Sequence, residues 1–210
     1  MNSIQVVMLD YGLVLCRKPI QEDIDRLTGV FGISEVEFWR LYEKNRQAYD
    51  KGEITPVDYW TRFGLDSGVQ PESLNFQFLM DLDIQMWGVL EHALFRWVEH
   101  LRESGYKTAL LSNMHLRFAQ YVRRNCPWVQ LFDYQFFSAE LRLVKPDRRI
   151  YEAALGKIAI APSEILFIDD RPANISAARA LGLKGLVYSS PAQLNADLQL
   201  GGFPRLLSHA

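Results

Sequence analysis

The chain has 210 residues, 49% of them hydrophobic, with 23 basic against 25 acidic side chains and a formal charge of −2. That is enough apolar material for a sizeable core, which argues against a disordered tail, and the near-neutral balance calls for neither nucleic acid nor an anionic membrane as a partner. No apolar run approaches the ~20 residues that span a bilayer, and the two cysteines, Cys16 and Cys126, are far apart and suit reduced thiols of a cytoplasmic protein.

Residues 1–5 carry no basic stretch ahead of an apolar run, so they read as the approach to a first strand and not as a signal peptide. The run from Ile4 to Leu9 suits a strand buried on both faces, and it ends abruptly in Asp10 and a glycine-containing turn. For about eighty residues the pattern is then helical. Ile20, Ile24, Leu27 and Phe31 share a face and Gly32 stops that segment. Ser34 and Glu37 have the form of a capping box opening a helix that Gly52 ends. Thr55-Pro56 opens a further helix carrying Tyr59, Trp60 and Phe63, and another runs through Phe76 and Leu79 to about Trp87. So many helices exceed an ordinary crossover, and they predict a small all-helical domain over residues 16–89.

From Leu90 helix and strand alternate. Leu90, Leu94, Trp97, Val98 and Leu101 form an apolar helical face, and residues 107–111 supply a second strand that runs out into Ser112 and Asn113. A helix over 115–124 follows, then a weaker aromatic strand over 133–138 and a helix over 147–157 entered just after Lys145-Pro146. ILFID ends in Asp169 and Asp170, Pro172 opens a helix, and residues 185–188 make a last strand. This predicts an α/β fold, a doubly wound, Rossmann-like parallel sheet, with residues 1–15 and 90–210 as the core domain.

In a parallel sheet, Asp10, Ser112-Asn113 and Asp169-Asp170 meet at the carboxyl edge, where such sheets bind ligands. Converging aspartates repel one another unless a hard cation sits among them, and Mg²⁺ is the natural occupant. Ser112 and Asn113 can donate to an anionic oxygen, and Lys145 can add a compact positive charge. Such a set suits phosphoryl transfer with Asp10 as nucleophile, passing through an aspartyl-phosphate. Taken singly, each feature has an ordinary explanation as a helix cap or surface charge; the occurrence of all four in order carries the inference. Asn174 reads as local hydrogen bonding in a first helical turn. His92, His100, His115 and His209 show no metal-ligand spacing and receive no role.

These motifs resemble those of the haloacid dehalogenase-like hydrolases over nearly the whole chain: LDYGLVL matches the nucleophile motif, LLSN the second, VKPDRRIY the lysine motif, and FIDDRPAN with ARALGL the acidic motif. The resemblance implies Asp10 as nucleophile and metal ligand, the Gly12 carbonyl and Asp170 as further Mg²⁺ ligands, and Ser112, Asn113 and Lys145 as the phosphate holders. It also implies that the helical insert is a cap closing over the substrate. DKGEIT and the Asp-x-Gly form of the first motif look most like sugar-phosphate phosphatases related to the epoxide hydrolase amino-terminal domain, in particular α-glucose-1-phosphate phosphatases.

Two departures stand out. Most phosphatases of the family carry a second aspartate where this chain has Gly12, and losing a general acid lowers the rate on the order of 10²–10⁴-fold. A glycosyl 1-phosphate, with its more acidic leaving group, tolerates that loss best. Arg142 stands where relatives usually have glycine. The expectation is therefore an Mg²⁺-dependent phosphatase acting on a small phosphorylated metabolite, with oligomeric state open. The alternatives are a phosphometabolite-binding protein on the same fold, with Gly12 marking lost turnover, and a haloacid dehalogenase, which would leave Asp169-Asp170 unexplained.

Overall fold

In the computed structural model, which describes residues 4–206, the first strand, β1 (Val6–Leu9), is buried on both faces at the centre of a five-stranded sheet. Residues 1–3 and His209 lie outside the described residues. β1 runs into a wide turn, Tyr11–Leu15, closed by the Cys16 N–H donating to the Tyr11 carbonyl at 2.9 Å. Leu13 takes φ 56° there, a left-handed conformation that costs a non-glycine residue about 1–2 kcal/mol.

Five α-helices follow before the chain returns to the sheet: α1 (Gln21–Phe31), α2 (Glu35–Lys44), α3 (Arg46–Asp50), α4 (Pro56–Ser67) and α5 (Phe76–Gln85). Their apolar faces converge on Phe38, Trp60 and Phe63 and build a core separate from those of the sheet. Cys16 and Leu90 pair in an antiparallel bridge where the insert leaves and rejoins. The helix expected between Ser34 and Gly52 breaks at Asn45, whose φ of −117° and ψ of 7° leave helical geometry, so α3 starts afresh. Ser34 does cap α2, accepting the Glu37 N–H at 3.3 Å, but the Glu37 carboxylate turns to Arg40 at 2.6 Å. The reciprocal box forms instead between Thr55 and Asp58, at 3.0 Å in each direction.

The remainder alternates: α6 (His92–Glu103), β2 (Lys107–Ser112), α7 (Leu116–Asn125), β3 (Tyr134–Phe137), α8 (Ser138–Leu141), α9 (Arg148–Ile158), β4 (Ile165–Asp169), α10 (Pro172–Arg179), β5 (Lys184–Val187) and α11 (Pro191–Gly201). The strand order is β3-β2-β1-β4-β5, with every neighbouring pair parallel. Alternation along the strands divides the core: Val7, Leu9, Leu110 and Leu166 face α6 and α7, while Val6, Met8, Leu111 and Phe167 face α9 and α10. The sequence gives little sign of α11, which buries only Leu194 and Leu198. From β1 the chain steps outward to β2 and β3, then crosses back to β4 on the other side, so the carboxyl end of β1 is a topological switch point. Among the described residues no helix is long and apolar enough to cross a membrane, and both cysteines are free.

Candidate active site

Register brings the predicted residues together. Leu9 lies opposite Leu110 of β2 and Ile168 of β4, which puts Asp10, Ser112 and Asp169 at one sheet edge. The Asp10 N–H donates to the Ile168 carbonyl at 2.9 Å, and its Oδ1 accepts from the Tyr11 N–H at 2.7 Å. Lys145 reaches the same point from the loop before α9. Its Nζ lies 2.8 Å from Asp10 Oδ1 and 2.6 Å from Asp169 Oδ2, and donates to the Leu111 carbonyl at 2.9 Å. The ammonium thus bridges the two carboxylates at the sheet edge. Asn113 holds that loop: its Oδ1 accepts the Lys145 N–H at 2.8 Å and its Nδ2 donates to the Lys145 carbonyl at 3.0 Å. These two bonds make the Asn113 side chain a brace for Lys145 and leave its second Nδ2 hydrogen uncommitted. Ser112 is buried and lines the cleft above Asp10.

Oxygens of Asp10, Asp169 and Asp170 lie within 4.8 Å of one another. Asp169 is fully buried and saturated: besides Lys145 it accepts from the Arg171 N–H at 2.8 Å and from Asn174 Nδ2 at 2.8 and 3.0 Å. Asn174 thus does the local hydrogen bonding its position suggested. Burial pushes the Asp10 carboxyl up to about 7, with Lys145 opposing and Asp169 and Asp170 reinforcing. Burial and Asp169 also raise Asp170. Burial opposes the charge on Lys145, yet Asp10 and Asp169 outweigh it and hold the ammonium above its ordinary range. Three carboxylates against one ammonium leave a buried excess of negative charge, which a divalent cation with oxygen ligands fits.

A cleft of about 410 Å³ opens over this edge. Its floor is the sheet edge, including Gly12, where an added Cβ would meet nothing within 4 Å. Its roof comes from the insert: Tyr42, Glu43, Arg46, Gln47 and Asp50, with Trp87 at the side. Arg46 is held by Asp50 at 3.0 Å and Asp83 at 3.2 Å, and the Tyr42 hydroxyl donates to Asp83 at 2.5 Å. His115, given no role from its spacing, is fully buried; it stacks on Tyr49 with centroids 4.2 Å apart and sets Nε2 3.2 Å from Asp83. Sequence spacing could not reveal these roof residues because tertiary packing alone joins α2, α3 and α5. The one local signal was the density of charged and aromatic residues around RQAYDKGEIT.

Arg142, standing where relatives usually have glycine, has a backbone explanation. It caps α8 at φ 55°, the left-handed region that glycine enters freely, and its exposed side chain points away from the core.

Comparison with known proteins agrees with this architecture. A sesquiterpene phosphatase, astK, from Aspergillus oryzae is 27% identical over 88% of this chain and 90% of its own length. Mouse acyl-CoA dehydrogenase family member 10 is 30% identical over 73% of the chain, which spans only 15% of that longer protein. Among solved structures, a HAD family enzyme from Bacteroides thetaiotaomicron, in complex with magnesium and inorganic phosphate, superposes with a TM-score of 0.73 at 23% identity, covering 89% of this chain and 95% of its own. At that identity the likeness is one of fold. The sequence profile of the haloacid dehalogenase-like hydrolases matches residues 12–182, and with the parallel sheet and its acidic edge this places the chain in that family.

Proposed function

We propose that this chain is an Mg²⁺-dependent phosphatase of a small phosphorylated metabolite, a sugar phosphate such as a glycosyl 1-phosphate, working through an aspartyl-phosphate on Asp10. The observation that carries this reading is the cluster of Asp10, Asp169 and half-buried Asp170, with Lys145 paired to the first two. Asp10 and Asp170, with the Gly12 carbonyl, are the groups to hold the cation, because both oxygens of Asp169 are taken by Lys145, Arg171 and Asn174. When bound, Mg²⁺ would neutralise phosphoryl oxygens and favour the ionised form of Asp10.

The chain's own residues do the rest. Lys145 and Ser112 bind the phosphoryl oxygens, while the Asn113 side chain fixes the lysine loop. Asp10 Oδ attacks phosphorus, and water then hydrolyses the resulting acyl phosphate. The insert acts as a cap whose Glu43, Arg46, Gln47 and Tyr42 offer hydrogen-bonding groups to a hydroxylated substrate, with Trp87 as an apolar face. The sesquiterpene phosphatase, of nearly equal length, supports phosphatase chemistry over dehalogenation, for which a three-carboxylate cluster has no use. Free cysteines suit a cytoplasmic setting.

The test is phosphate release from a panel of phosphorylated metabolites with Mg²⁺, using Asp10→Asn throughout as control. The expected outcome is release strongest on glycosyl 1-phosphates, abolished by chelator and reduced about 10³-fold or more in the variant. Preference for ordinary primary alkyl phosphates would overturn the sugar 1-phosphate assignment. Release undiminished in Asp10→Asn would overturn the enzyme reading in favour of a phosphometabolite-binding protein.

A further inference from the structure

An aspartyl-phosphate mechanism needs a proton for the departing oxygen and later a base for water, and two residues after the nucleophile the chain has only Gly12. We propose that Asp50, on the helical insert, is that acid and base; the assignment rests on the phosphatase reading above. Asp50 is buried, 7% exposed, and lines the same cleft as Asp10. Its position relative to the sheet edge is fixed by hydrogen bonds through one hydroxyl. Ser138 Oγ donates to the Asp50 carbonyl at 2.5 Å and accepts the Met114 N–H at 2.8 Å, tying Asp50 to the loop that begins with Ser112 and Asn113. Two residues on, Gly52 at φ 73° lets the backbone pass against Ala139, whose carbonyl would lie 3.3 Å from an added Cβ. The carboxyl is therefore held on a rigid part of the insert.

The other carboxyl, phenol and ammonium groups of the cleft belong to the phosphoryl site, are exposed, or hold their protons too tightly. Asp10, Asp170 and Lys145 form the phosphoryl and cation site. Glu43 is exposed and pairs with Arg171 at 3.3 Å. The Tyr11 hydroxyl donates to the Trp87 carbonyl at 2.7 Å and Tyr42 to Asp83, and burial pushes both phenols well above their ordinary range, so neither exchanges its proton near neutrality. Asp50 differs. Burial raises its carboxyl; Arg46 at 3.0 Å and His115 oppose that, and Asp83 reinforces it. A carboxyl poised above the usual range suits a group that must both give and accept a proton.

In the first step an Asp10 oxygen bonds to phosphorus, the bond from phosphorus to the ester oxygen breaks, and the Asp50 proton passes to that oxygen to release the alcohol. In the second, carboxylate Asp50 takes a proton from water as the water oxygen attacks phosphorus. The bond to Asp10 breaks, inorganic phosphate leaves, and Asp50 is again protonated.

Such a role predicts dependence on the leaving group. For Asp50→Asn, kcat/KM on glycosyl and alkyl phosphates is expected to fall on the order of 10²–10⁴-fold, but less than about tenfold on 4-nitrophenyl phosphate, whose phenolate leaves unaided. The basic limb of the kcat/KM profile is lost in the same variant. Adding Gly12→Asp, for which the cleft has room, is expected to recover at least about tenfold on the alkyl esters. Should the asparagine variant not fold, Asp50→Glu keeps the pairing with Arg46 while displacing the carboxyl, and the same leaving-group-dependent loss is expected. An equal loss on all esters in a folded variant would make Asp50 a positioning residue for Arg46, and wild-type rates on alkyl phosphates would remove its role altogether; either overturns the proposal while the phosphatase reading stands. If the wild-type protein releases phosphate from no ester, 4-nitrophenyl phosphate included, the phosphatase reading itself falls.

Discussion

Asp10 occupies a position where chemistry and folding pull in opposite directions. Its carboxyl is pushed up to about 7, first by burial and then by Asp169 and Asp170, with Lys145 opposing. Without a cation the folded chain therefore holds this proton more tightly than the unfolded chain does. Stability from this group is greatest below the ordinary carboxylate range and declines as pH rises toward 7. Asp10→Asn removes the charge that folding disfavours. In chelator at pH 8 the variant is expected to melt a few degrees above wild type, with the gap shrinking toward pH 4; a variant that melts lower at pH 8 would contradict the account. Arg142 makes a separate case at the same scale. At φ 55° it bears a left-handed penalty of about 1–2 kcal/mol, against about 0.4–1 kcal/mol for the extra unfolded-state freedom of glycine. Arg142→Gly is thus expected to leave denaturant stability unchanged or raised by up to about 1.6 kcal/mol, whereas glycine inside a helix lowers it.

At the scale of elements, α3 and α8 are joined through Ser138, whose buried hydroxyl bonds both the Asp50 carbonyl and the Met114 N–H. Ser138→Ala leaves both partners buried without it, which lowers stability by about 1–3 kcal/mol, measurable by urea unfolding. Loosening Asp50 should reduce kcat more than it raises KM; an unchanged kcat would mean that this junction does not position the cleft. The sheet-edge residues could be read from the chain because each follows a buried strand or opens a helix, both of which leave local patterns. The junction could not. Ser138 begins a four-residue helix with no periodicity to betray it, and His115 leaves no local signal because its partners, Asp83 and Tyr49, come from α5 and α3 and obey no spacing. The break at Asn45 was hidden for another reason: the apolar period runs on across it while the backbone does not.

For the molecule as a whole, the insert and the sheet domain share a buried polar network as well as apolar contact. Asp83, fully buried on α5, accepts from Tyr42 at 2.5 Å and Arg46 at 3.2 Å, and faces His115 of the sheet domain at 3.2 Å. His115 Nδ1 accepts the Phe118 N–H at 3.3 Å as the cap of α7, which leaves Nε2 to carry the hydrogen of the neutral ring on the side of Asp83. Burial alone would raise the Asp83 carboxyl, but Arg46, His115 and Tyr42 outweigh it and hold it well below the usual range. A depressed carboxyl contributes stability that is present above the ordinary carboxylate range and is lost as pH falls through its folded value. Asp83→Asn leaves Arg46 and His115 facing a neutral amide, and removing one partner from a buried charged set costs about 3–5 kcal/mol. The variant is therefore expected to melt well below wild type at pH 7. On acidification the two curves converge, because wild type loses the same interaction by protonation. A gap that stays constant from pH 7 to pH 3 would mean that the charge of Asp83 does not join the two halves.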